Sequence, residues 1–193
     1  KITSIAFYDE LTEKYFCYTL DVKGKLQNYE REDTIVKLFK TEYELLNQFY
    51  IKYSEIQPHI LSGWNIEFFD IPYLYNRSVK VLGQSVANML SPIRNVIYSE
   101  YKKKHNIAGV SILDYLTLYR KFSFIQQSSY RLDYIGEIEV GMKKIEYQGT
   151  LNDLYEKDLD KFIEYNIRDA RILIELDKKL DFINIARGIA HLG

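Results

Sequence analysis

Apolar and polar positions first alternate with a period of two. Ile2, Ile5 and Phe7, then Phe16, Tyr18 and Leu20, enclose the polar run 9–14, which predicts an antiparallel hairpin. Residues 34–39 fit a third short strand. The period then changes. Thr41 and Glu44 have capping-box spacing, Leu45, Leu46, Phe49, Tyr50 and Tyr53 recur at helical spacing as far as Ile56, and Pro58 ends the helix. Residues 58–64 read as a buried strand leading to Asn65 and Asp70 at its C-terminal edge, where open α/β sheets place their sites. Asp70 as N-cap and Pro72 in the first turn open a helix that runs toward Gly83. A short helical stretch spans 84–90 and Ser91-Pro92 closes it.

Farther on, residues 94–110 are basic at their centre (Lys102, Lys103, Lys104, His105) between apolar flanks, and predict an exposed β-hairpin. A solvated loop is the plainer alternative. Ile112, Leu113, Leu116 and Tyr119 share one helical face over 111–122, and 129–135 form another short helix. A last long helix covers 159–183. The pattern is that of an α/β protein, a mixed sheet flanked by helices, in a single domain over 1–193 with 94–110 as an insertion. No repeat or low-complexity segment interrupts it.

Composition narrows the class. An apolar content of 47% with 27% charged residues describes a globular chain. A net charge of −1 argues against a long basic groove, so any nucleic-acid contact is local. One cysteine, Cys17, excludes a disulfide framework and fits a reducing compartment. No apolar run is long enough to span a bilayer and no signal peptide opens the chain, so no membrane partner is expected. The chain begins at Lys1 within a strand-like run, as a piece of a longer protein would.

In the last helix, 100° per residue puts Glu164, Arg168, Arg171, Glu175, Lys178 and Lys179 on one side. Phe162, Tyr165, Asn166, Asp169, Ala170, Leu173, Leu176 and Leu180 fall on the other. A carboxylate on that side is costly unless hydrogen-bonded, paired or bound to a cation. Asp70 and Asp169 are therefore the candidate pair for hard divalent ions such as Mg²⁺, with Tyr165 one turn from Asp169 to orient a water. Tyr-x3-Asp spacing alone is weak, since this composition yields about one such pair by chance. Tyr29/Asp33 is a second instance, set aside because charged residues surround it. Asp114 and Asp133 read as cap or helix-face residues, the three histidines lack ligand spacing, and Cys17 reads as core.

Gly63, Trp64, Asn65, Phe69, Asp70, Pro72 and Tyr73 keep the order and spacing of the second exonuclease motif of family B DNA polymerases. Tyr165-Asn166-Ile167-Arg168-Asp169 resembles their third motif, in its tyrosine form; the histidine form would need His where Glu164 stands. Segments 111–122, 129–135 and 144–149 also resemble this family, and the likeness is greatest to polymerases of T-even-like phages.

The resemblance implies an RNase H-like (DEDD) fold and a 3′→5′ proofreading exonuclease. It implies two Mg²⁺ (or Mn²⁺) ions in the intact parent, a single-stranded DNA primer terminus as substrate, and polymerase domains of the same chain as partners. For a phage protein it implies the host cytoplasm. Asp70, Tyr165 and Asp169 would be catalytic, the two aspartates holding metal. Asn65 and Phe69 would touch the terminal nucleotides, and Lys144 would lie near the substrate phosphate. The basic hairpin with Lys102, Lys103 and Lys104 would help part primer from template.

The family's first motif, Asp-x-Glu on a first strand, has no match: Asp9-Glu10 has the wrong spacing and lies in a turn. That motif is expected upstream of Lys1, or lost in a variant; on either account the fragment lacks its first strand and is expected to be inactive alone. Two rivals are a non-catalytic DNA-binding or scaffold module and a stand-alone DEDD nuclease.

Overall fold

The computed structural model describes residues 1–143 and 145–192. Strand β1 (Ser4–Asp9) pairs antiparallel with β2 (Lys14–Leu20), Ser4 opposite Thr19 and Asp9 opposite Lys14. The side chain of Asp9 is consumed by the turn between them. It accepts from the Leu11 amide at 3.2 Å and the Thr12 hydroxyl at 2.7 Å. Strand β3 (Tyr29–Arg31) is antiparallel to β4 (Thr34–Phe39), and β4 lies parallel to β2, giving a mixed sheet of order β1-β2-β4-β3.

Alternation in β2 explains why it is the most buried strand. Phe16, Tyr18 and Leu20 enter an apolar cluster with α1 (Glu42–Ile56), while Tyr15 and Cys17 enter a second cluster on the opposite face. Both faces are thus covered by helices. The Thr41–Glu44 capping box starts α1 as expected, and Gln57, in the left-handed region at φ 48°, ends it just before Pro58.

A second, two-stranded parallel sheet joins β5 (Ile60–Gly63) to β8 (Ser111–Asp114), with Gly63 opposite Asp114. Between these strands run α2 (Asp70–Leu82), α3 (Gln84–Ala87), a 3-10 turn (Asn88–Leu90), and a hairpin of β6 (Val96–Ser99) and β7 (Lys104–Ile107). The helical reading of 111–122 is corrected here. Its first four residues form β8, and the helix α4 (Tyr115–Phe122) begins only after Asp114, whose carboxylate caps it by accepting from the Thr117 amide at 2.9 Å. A short apolar run satisfies either period, and pairing with β5 decides it.

The chain closes with α5 (Leu132–Val140), α6 (Leu151–Lys157), α7 (Leu159–Leu180) and α8 (Phe182–Leu192). Helix α5 starts three residues later than expected and runs five further, to a left-handed Gly141. Helix α6 was not expected, although Thr150 and Asp153 form a capping box. The last helix breaks at Asp181 (φ 56°), so α8 is a separate element.

Its buried stripe also differs from the expected face. Phe162, Ile163 and Ile167 pack toward the sheet, whereas Ile172 and Leu176 pack with α4, α5 and α8 in a third cluster. Tyr165 and Asp169 are therefore half-buried at the margin of the stripe, not in the core. Nor is the polar side merely solvated: Arg171 grips Asp33 through two bonds of 2.7 and 2.5 Å and stacks over Tyr15 at 4.2 Å. That guanidinium holds the Asp33 carboxyl down at about 2. The contact ties the β3–β4 turn to α7 and gives Asp33 a structural role.

Helices α5 and α7 touch at Gly136, where an added Cβ would stand 2.6 Å from Cγ2 of Ile172. Ile172 is buried and β-branched, with little rotamer freedom in a helix. Gly136→Ala is therefore expected to destabilise the chain by about 1–3 kcal/mol in urea unfolding. Gly188→Ala in α8, where nothing stands within 4 Å, should instead be neutral or stabilising.

Candidate active site

The site is built where β5 ends. A Cβ on Gly63 would lie 2.9 Å from Cβ of Ile66, so the glycine lets the chain fold back over the strand end. Asn65 takes the left-handed region at φ 62°, which asparagine tolerates, and its carbonyl accepts from the amides of Phe68 at 3.3 Å and Phe69 at 3.0 Å. Trp64 anchors the loop. Its indole N–H donates to the Tyr130 carbonyl at 3.0 Å, and its ring lies 6.4 and 5.9 Å from those of Tyr115 and Tyr119. From the opposite side, the buried carboxylate of Asp114 accepts from the Glu67 amide at 3.2 Å.

Asp70 is not the N-cap of α2. Phe69 holds that position without a side-chain bond, and Asp70 is the first helical residue. Its carboxylate is therefore not spent on starting the helix. Among the described residues it has no hydrogen-bond or ion-pair partner beyond its own amide. Withdrawal from water pushes the carboxyl up to about 6, Asp114's charge adds to this, and the bond from its own amide opposes it. The residue nonetheless keeps an open face to solvent. Both hold for a side chain with protein on one side and water on the other.

The sign of the consequence is definite. An aspartate ionises near 3.8 when unfolded, so stability falls as pH rises from about 4 to about 6 and stays lower above. Discounted for solvent screening, the cost is about 1 kcal/mol, or roughly 2–4 °C in a chain of this size. Asp70→Asn should raise the melting temperature of the metal-free chain by that amount at pH 7.5 and leave it unchanged at pH 4. Thermal unfolding at the two values checks this.

Phe68 and Phe69, 54% and 66% exposed, stand beside Asp70. Phe69 was expected at the site. Phe68 was not, although two adjacent phenylalanines before an Asp are visible in the sequence. On α7, burial raises the Tyr165 hydroxyl to about 12, with Asp169 the first of the charges that add to it, so the phenol keeps its proton at neutral pH. Tyr147 packs edge-on against it at 5.5 Å.

The structure thus brings Tyr165 together with Asp169, and Asp70 together with Asp114. The two halves meet through the third apolar cluster, which holds Trp64 of the site loop and Leu173, one turn beyond Asp169. Among the described residues no three Asp, Glu, His or Cys side chains form a cation cage. Lys144 lies outside the described residues. Lys102 and Lys103 are exposed at the hairpin tip, whereas Lys104 is ion-paired with Glu67 at 2.5 Å.

Residues 8–135 match the family model for the exonuclease domain of DNA polymerase family B. The chain belongs to that family. It is similar to the DNA-directed DNA polymerase of Escherichia phage RB69, 36% identical over 98% of this chain and 24% of the relative. It is also similar to that of Enterobacteria phage T4, at 29% identity over 99% and 24%. DNA polymerase 1 of Sulfurisphaera ohwakuensis is 34% identical over 76% of this chain and 16% of the relative. The chain spans about a quarter of the length of the phage polymerases it matches. No helix among the described residues is long and apolar enough to cross a membrane.

Proposed function

We propose that this chain is the 3′→5′ proofreading exonuclease domain of a T-even-like family B DNA polymerase, on an RNase H-like fold of the tyrosine DEDD type. The observation that carries the reading is Asp70: a carboxylate at a strand's C-terminal edge, crowded yet open to solvent, without a side-chain partner among the described residues, and flanked by two exposed aromatic rings. Such a group adds nothing to the fold and suits a ligand.

The substrate would be the frayed single-stranded 3′ end of a DNA primer. Phe69 and Phe68 offer faces on which terminal bases can stack, each contact worth about 1–3 kcal/mol. Asn65 would orient the terminal nucleotide, Lys102 and Lys103 would approach backbone phosphates from the hairpin, and Lys144 would lie near the scissile phosphate. Hydrolysis adds a water oxygen to phosphorus and breaks the P–O3′ bond, releasing a deoxynucleoside 5′-monophosphate and leaving a new 3′-hydroxyl. Tyr165, protonated at neutral pH, would orient the attacking water through its hydroxyl.

The oxygen donors of Asp70 and Asp169 fit a hard divalent ion, Mg²⁺ or Mn²⁺. They are this chain's share of a two-ion site and too few to complete one. Such ions, when bound, lower the pKa of water and neutralise charge on the leaving oxygen. Completion would come from an Asp-x-Glu strand, a sequence this chain does not contain. Polymerase domains would be the partners within the parent, and the host cytoplasm its location if phage-encoded.

The test is product analysis with a 3′-labelled single-stranded oligonucleotide and the full polymerase. Mononucleotides released from the 3′ end are expected. Absence of any release would favour the second reading, a non-catalytic DNA-binding or scaffold module.

A further inference from the structure

The hairpin β6–β7 is docked, not free. His105 is buried with its ring between those of Tyr75 on α2, at 4.8 Å, and Tyr98 on the facing strand, at 5.1 Å. Ile107 enters the core cluster shared with α1 and α2. Lys104, next to this anchor, reaches away from the hairpin to Glu67, Nζ to Oε1 2.5 Å, with the two side chains only 23% and 15% exposed. Glu67 lies in the loop between Asn65 and Asp70, and its amide is the one held by Asp114. A single residue of the site loop is therefore fastened on two sides, by its backbone to the end of β8 and by its side chain to the hairpin. Half-buried ion pairs contribute little net stability, because desolvation offsets attraction, but breaking one strands a charge. What such a pair supplies is a fixed relation between the parts it joins.

We infer that Glu67 is a positioning residue, and that the Lys104–Glu67 pair latches the hairpin to the loop bearing Asp70 so that the two move as one. The consequence for excision rests on the proofreading reading: a duplex end pressing on the hairpin would then be felt at the site loop, and a released hairpin would leave the site able to act on single strands but poorly coupled to a duplex.

Hydrogen exchange on this 193-residue chain tests the latch without any reaction. In Lys104→Met and in Glu67→Gln, amides of the site loop (Phe68, Phe69), of Ile71 in the first turn of α2, which bonds the loop's Ile66 carbonyl, and of β6–β7 are expected to exchange together, about tenfold faster. The charge swap Glu67→Lys with Lys104→Glu should recover most of the protection. Arg77→Met, which breaks a comparable pair with Glu42 (2.7 Å), should leave both segments unchanged. Faster exchange in one segment only, or in neither, overturns the latch, as does a swap that recovers nothing. In the full polymerase, Glu67→Gln should lower excision from a mispaired duplex end about tenfold relative to a single-stranded end. Coupled exchange with an unchanged ratio would keep the latch and count against the proofreading reading instead.

Discussion

Asp70→Ala and Asp169→Ala, made separately in the full polymerase, are each expected to lower hydrolysis of a single-stranded 3′ end by about a thousandfold or more, leaving nucleotide addition within about twofold. For Asp70 the expectation follows from what its side chain does not hold. Asp70 caps no helix and pairs with no neighbour among the described residues, so its removal takes nothing from the fold. By its raised pKa, it even relieves a small penalty. Asp169 lies at the margin of α7's buried stripe, outside the set of residues that carries the packing. Tyr165→Phe should be milder, roughly tenfold to a hundredfold, since the ring and its contact with Tyr147 remain and only the hydroxyl is lost. Rates of 3′ hydrolysis and primer extension measured on the same preparations check all three. Equal loss of both activities would assign these residues to structure.

How much of this was legible before the coordinates depended on the range over which each signal acts. The strands of the first hairpin, the Thr41 cap and the stop at Pro58 are local, and local spacing was enough. Asp70 stood out because seven positions around it keep a fixed spacing. Glu67 sits within that motif and carried no signal, because its partner is 37 residues away on a hairpin whose lysines read as a solvated patch. Asp114 was legible as a cap, but its second bond, to the Glu67 amide, spans 47 residues. The face of α7 was misdrawn for a different reason: one helical stripe was assumed, whereas the helix packs against the sheet along its first half and against other helices along its second.

The largest change in stability is expected from a strand added between β1 and β5. Among the described residues β1 pairs with β2 alone and β5 with β8 alone, so each sheet ends in an edge. Residues on those edges contribute to one core cluster: Ile5 and Phe7 from the first sheet and Leu61 from the second pack against it. All three remain only half-buried although they pack against that cluster. Apolar strand edges of this kind are what protein sheets ordinarily pair or cover.

A strand seated there would complete hydrogen-bond ladders on both sides and bury more of those side chains, each contributing about 1 kcal/mol. A few such contributions amount to roughly 10 °C in the melting temperature of a chain this long. If the strand carries Asp-x-Glu, the same addition should bring two carboxylates to the edge where Asp70 lies and turn 3′ hydrolysis on. The lengthened chain is therefore expected to melt about 10 °C higher and to gain Mg²⁺-dependent hydrolysis. Its Asn-x-Gln counterpart should keep the thermal gain and lose the hydrolysis. A gain in neither would mean that β1 and β5 do not flank a vacant strand position, and the RNase H-like reading would fail with it.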